Sequence, residues 1–184
     1  MIAYHHILVH FPTAFLLLAS FLLLLRGLSN NTLVIKLEKS TPMLLVFGVL
    51  SGVAAFISGI ILWPTEAILA SPMAKNKILF AAWAIMAWVG VAAVRLKAGE
   101  AIWETSLRWP LVIFGMLAAA FLGTAGALGG YLIGSPSEFS VLLKLLGWNI
   151  YQTFHAPSWA LSFAVIAAIL ILLAGFMRSS TSKA

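Results

Sequence analysis

Four histidines are the side chains of this 184-residue chain that most readily bind a metal or haem iron. His5, His6 and His10 stand near the N-terminus, and His155 stands near the other end of the chain. Two neutral imidazoles from two helices suit a b-type haem, with His10 and His155 as the expected ligands. One of His5 and His6 is expected to orient a ligand through a hydrogen bond.

Two of these histidines precede a proline by two residues, His10 before Pro12 and His155 before Pro157. If each proline occupies the first turn of a helix, both imidazoles lie near the positive end of a helix dipole, which disfavours the imidazolium. Alternatively, the first helix begins near the first residue, Pro12 kinks it, and His6 and His10 share one face. The sequence leaves both alternatives open.

The same histidines, and several residues expected near them, allow other interpretations. Three or four histidines together could hold copper or zinc, and histidines at a membrane surface could simply face lipid headgroups. Tyr4, Phe154 and Trp159 are expected to line a haem or quinone cavity or to anchor the protein at the interface. Glu66 is a candidate hydrogen-bond partner behind a ligand, a proton acceptor for a quinol, or a solvated loop residue.

The composition excludes a soluble enzyme and a disordered protein. The chain is 62% hydrophobic and 9% charged, whereas a soluble domain is about 25% charged. Cysteine and aspartate are both absent, so no thiolate, disulfide or aspartate-based site exists. The net charge of +6 indicates contact with lipid headgroups and gives no reason to expect nucleic acid.

Apolar blocks of about 20 residues predict an all-α, polytopic membrane helix bundle with five transmembrane helices and one short interfacial helix. The expected spans are residues 7–25, 42–63, 78–94, 110–132 and 157–177, with the interfacial helix at 140–148. This divides the chain into a four-helix membrane unit (1–135), a periplasmic loop with the interfacial helix (136–156), and a fifth transmembrane helix with a cytoplasmic tail (157–184).

Loop charges predict how the bundle is oriented. Five spans put the termini on opposite sides, and eight Lys and Arg residues then lie on the side opposite the histidines, against three on the histidine side. The positive-inside rule makes the histidine side, and the N-terminus, external or periplasmic in a bacterial inner membrane. The Gly-x-x-x-Gly spacings at Gly48/Gly52 and Gly126/Gly130 predict close helix packing within the fold, with homodimerisation as the alternative.

The opening segment, His5-His6-Ile7-Leu8-Val9-His10-Phe11-Pro12, resembles a family of bacterial membrane proteins of unassigned function. Members of that family open with His-Pro-x-Leu-Val-His-Phe-Pro, so the match assigns His5 and His10 to the two family histidines. The segment 128–134 is similar to the Gly-Gly-x-Leu-Val-Tyr segment that closes the family's four-helix unit. The resemblance covers about residues 5–135.

Two departures from that family's pattern affect what the resemblance implies. The acid of the family's Asp-Trp pair is replaced by Leu62, before Trp63. The histidine that the family carries near its third helix is missing, and we infer that His155 replaces it. Members of the family often occur near redox proteins, which favours a haem or quinone function by association.

The sequence therefore predicts an electron-transfer membrane subunit. A b-type haem near the periplasmic face would exchange electrons with quinol in the bilayer and with another membrane or periplasmic redox subunit. The first alternative is a cofactor-free accessory or anchor subunit of a larger membrane complex. The second is a copper or zinc site or a hydrolase, which the scarcity of carboxylates disfavours.

Overall fold

The computed structural model describes residues 2–148 and, beyond them, residues 159, 162, 163, 166, 167 and 170. In the continuous part the secondary structure is entirely helical, with seven α-helices and one 3-10 helix. In chain order these are α1 Ile2–Leu28, α2 Thr32–Glu38, α3 Thr41–Leu62, α4 Thr65–Ala70, α5 Pro72–Ala98, the 3-10 helix Gly99–Glu104, α6 Arg108–Leu132 and α7 Glu138–Leu145.

The predicted all-helical membrane protein is confirmed in its coarse form. Four helical segments of the described part are long and apolar enough to cross a membrane, and they contain α1, α3, α5 and α6. The predicted fifth span, 157–177, lies mostly outside the described residues, so the count of five and the orientation stay predictions. A short helix, α7, does form close to the predicted interfacial segment.

The first helix begins earlier than the expected span at residue 7. Helix α1 is 27 residues long and runs through Pro12, so the alternative that starts the helix near the first residue describes this helix, and the placement of Pro12 in a first turn is wrong. Proline has no backbone N–H to donate. In the same turn, the Thr13 hydroxyl donates to the carbonyl of Val9 at 2.8 Å. The three N-terminal histidines are therefore helical residues.

The third apolar segment is also longer than predicted. Helix α5 starts at Pro72, where the Ser71 side chain accepts a hydrogen bond from the backbone N–H of Ala74. A serine cap followed by proline is a strong helix start. The helix continues to Ala98, where Gly99, at a φ of 59°, ends it. Residues expected in the loops at both ends of the 78–94 span are therefore helical.

The four long helices form a closed ring. Helix α1 packs along α3 and α5 packs along α6, while α1 also contacts α6 and α3 contacts α5. A methyl group at Gly48 would overlap the side chain of Leu16, and one at Gly115 would lie 3.0 Å from Leu23. The first of the predicted glycine spacings therefore packs α3 against α1 inside the chain.

A buried ion pair joins the elements at the end opposite the histidines. The Arg95 guanidinium donates to both carboxylate oxygens of Glu38, at 2.7 and 2.9 Å, and to Glu100 at 2.6 Å. Arg95 is 2% exposed and Glu38 is fully buried. The expected span 78–94 leaves Arg95 in the loop that follows it, and this placement is wrong because α5 extends past Arg95 and α2 supplies its carboxylate.

We expect Glu38→Gln to destabilise the protein, because it leaves the buried Arg95 charge without its two-point partner. Breaking a buried pair costs about 3–5 kcal/mol, which at about 2–4 °C per kcal/mol for a chain of this size lowers the unfolding midpoint by roughly 6–20 °C. Thermal unfolding in detergent, followed by tryptophan fluorescence, measures the shift. Glu104→Gln, at an exposed position of the same region, is the control. Equal midpoints for the two variants would contradict a stabilising role for the pair.

Candidate functional site

A cavity of about 610 Å³ lies between the four long helices and extends to the end of the bundle at which α1 and its histidines begin. Its size falls within the ~300–1,000 Å³ that is typical of small-molecule sites. Small residues from three helices form much of its wall, among them Gly52, Ala84 and Gly126. A methyl group added at Gly126 would meet nothing within 4 Å. The backbone of α6 is therefore open to a ligand at this point.

The three N-terminal histidines all line this cavity. His5 and His6 are half-buried, whereas His10 is exposed. The rings of His5 and His6 lie 6.1 Å apart, centroid to centroid. The structure thus brings together the side chains that the sequence singles out at this end, and it does so from a single helix.

The other predicted site residues do not line the cavity where they are described. Tyr4 is 71% exposed and Trp159 is 55% exposed. Glu66 lies in the exposed first turn of α4. Phe154 and His155 lie outside the described residues, so the proposed pairing of His10 with His155 stays a prediction.

A backbone hydrogen bond sets the proton position on His10. Its Nδ1 lies 2.6 Å from the carbonyl oxygen of His6. Because a carbonyl oxygen only accepts, Nδ1 must carry the hydrogen. The neutral ring then keeps its lone pair on Nε2, which is the arrangement found in histidines that ligate metals.

The same reasoning applies to His5 through a serine. His5 Nδ1 lies 2.9 Å from Ser58 Oγ, and the Ser58 hydroxyl donates its only hydrogen to the carbonyl of Ala55 at 2.8 Å. Ser58 Oγ therefore accepts from His5, and Nε2 of the neutral His5 ring keeps its lone pair. A methyl group at Gly59 would lie 2.9 Å from His5 Cε1, so this glycine makes room for the ring.

Sequence reasoning missed a lysine of the cavity wall. Lys77 is half-buried and lines the cavity, and its Nζ lies 5.5 Å from the ring centroid of Trp63. A methyl group at Gly129 would lie 3.4 Å from Lys77 Cε. The expected span 78–94 leaves Lys77 in the preceding loop, as one of the three loop charges on the histidine side. The signal that could have found it is the pair Ser71 and Pro72, which starts α5 before this lysine.

A second missed residue is Trp88, which is fully buried and also lines the cavity. Its indole Nε1 is buried and has no hydrogen-bond partner among the described residues. Trp88 stands 11 positions after Lys77 in the sequence, which corresponds to about 16 Å along α5. Lys77 and Trp88, whose polar groups can only donate hydrogen bonds, thus both contribute to the α5 wall of the cavity.

The described residues do not assemble a metal site from protein ligands alone. Within residues 2–148 and the few described beyond them, no group of three or more histidine, cysteine or acidic side chains could hold a metal ion. His5, His6 and His10 by themselves therefore do not form the copper or zinc site considered from the sequence. A site that also includes His155 extends outside the described residues.

Comparison with protein-family models, with curated proteins and with solved structures finds no match to this chain. No relative therefore assigns an activity to the cavity. The resemblance of the His5–Pro12 segment to a membrane-protein family stays an expectation from its motif, and the cavity is the feature of the molecule that points to a function.

We expect His5 and His10 to carry their proton on Nδ1 when neutral, because each donates through that atom. Two-bond ¹H–¹⁵N correlation spectra of ¹⁵N-histidine-labelled protein, recorded in detergent near pH 8, distinguish the two ring nitrogens. That pH is above the usual histidine pKa of about 6.5. Single substitutions of the two histidines assign the signals. A proton on Nε2 of His10 would contradict the hydrogen-bond scheme.

Proposed function

We propose that the protein is an integral-membrane electron-transfer subunit that holds a b-type haem in this cavity. The observation that carries the proposal is His10, which lines the cavity while its Nδ1–H is held by the His6 carbonyl, leaving Nε2 able to ligate iron. A haem needs only one or two protein ligands. The donor set of this site is therefore sufficient for haem.

The walls of the cavity fit the rest of such a cofactor. Gly126 lines the cavity, and a methyl group there would meet nothing within 4 Å, so a flat macrocycle can lie close to α6. The lining is mainly apolar, as the faces of a macrocycle require. When bound, the haem supplies one-electron redox chemistry, and the residues of the chain hold, orient and shield it. His155 is our proposed second ligand.

The setting of the subunit is also part of the proposal. Four helices able to span a membrane support an integral membrane protein. The excess of Lys and Arg in loops away from the histidine end supports a bacterial inner-membrane location with the histidine end periplasmic. Quinol in the bilayer and a periplasmic or membrane redox protein are the proposed electron partners.

Two variants with different mechanisms test haem binding. His10→Ala removes a ligand, so it should weaken haem binding by at least the ~10–100-fold that losing a hydrogen bond behind a metal ligand costs. Gly126→Leu fills the open space next to α6, so it should also reduce the haem retained, while a leucine should favour the helix over glycine. Haem per protein is measured after purification in mild detergent.

The control for the second variant is Ala120→Leu, at an exposed position of the same helix. It should retain the haem of the unaltered protein. Full haem in both His10→Ala and Gly126→Leu would overturn the proposed site. No haem in any of the proteins, with all of them correctly inserted, would favour the accessory-subunit alternative.

A further inference from the structure

The charge of Lys77 has no counterpart within the chain's own side chains. The sequence has no aspartate, and its five glutamates all lie among the described residues. Glu38 and Glu100 pair with Arg95. No ion pair of the described residues involves Lys77. Among the described residues, no carboxylate therefore neutralises this lysine.

The position of Lys77 directs its charge to the cavity. Its side chain packs against Gly129 and its ammonium lies against the Trp63 ring, at the wall of the cavity. Lys75, two residues earlier, is exposed and is not part of this wall. A cation that is partly removed from water inside an apolar bundle is costly unless it is paired.

The charged and apolar parts of the cavity wall lie at different positions along the bundle. Helices α1 and α5 both start at the histidine end, and Lys77 stands about 8 Å along α5 while His10 stands about 12 Å along α1, at 1.5 Å per residue. The lysine is thus closer to the start of its helix than the histidine is to the start of α1. The wall beyond them is mainly apolar. A lysine near one end of a mainly apolar wall fits a ligand that is largely apolar and has an acidic group at one edge.

We infer that Lys77 binds a carboxylate of the cavity's ligand and thereby fixes which edge of the ligand faces the histidine end. This rests on the proposed function, in which the carboxylate is a haem propionate. Lysine and carboxylate form a charge-assisted hydrogen bond, which is stronger than a neutral one. Lys77 is then the residue that distinguishes a porphyrin with acid groups from a neutral porphyrin of the same shape.

The test compares haemin with haemin dimethyl ester, in which both propionates are neutral. The protein is produced in haem-depleted cells, purified in detergent and titrated with each compound, and binding is followed by the Soret band. The unaltered protein should bind haemin about ten- to a hundredfold more tightly than the ester. Lys77→Met should bind both equally, and Lys77→Arg should restore much of the preference.

Lys75→Met is the matched control, and it should keep the preference of the unaltered protein. Equal binding of haemin and its ester by the unaltered protein would overturn the inference while leaving haem binding intact. So would a preference that survives in Lys77→Met. A reduced preference in Lys75→Met equal to that in Lys77→Met would show general surface charge to be responsible, which also overturns it. Binding of neither compound by the unaltered protein would overturn the proposed function itself.

Discussion

Charge inside an apolar helix bundle must be matched, because the surrounding lipid cannot match it. The two ends of this bundle meet that constraint differently. At one end, Arg95 is matched within the chain by Glu38 and Glu100. At the other end, Lys77 has no carboxylate partner among the described residues, and His10 keeps a lone pair on Nε2. The first end is a structural clamp, and the second has the properties of a binding site.

Small residues produce both the tight and the open parts of the ring. Gly48 and Gly115 bring neighbouring helices close, because side chains of α1 occupy the space next to them. Gly126 lies on the same helix as Gly115, but no atom of another residue occupies the space next to it. The same absence of a side chain therefore packs α6 against α1 at Gly115 and leaves open space beside α6 at Gly126.

Much of the architecture could be predicted from the sequence because it depends on local patterns. Apolar blocks predict the four long helices, and the shared side of the N-terminal histidines follows from their closeness in the chain. The buried pair of Arg95 with Glu38 could not be predicted, since it depends on how the short helix α2 folds back. Lys77 was assigned to a loop because hydropathy alone does not show that a capped, polar first turn extends α5. His155, which the sequence predicts to be the second haem ligand beside His10, lies outside the described residues.

The most direct test of the account is an optical spectrum of the unaltered protein. It would be purified in mild detergent from haem-replete cells, and its dithionite-reduced minus oxidised absorbance would be recorded, with haem quantified as the pyridine adduct. We expect a b-type α-band and about one haem per chain. A flat difference spectrum from well-folded protein would contradict the claim that this cavity holds haem.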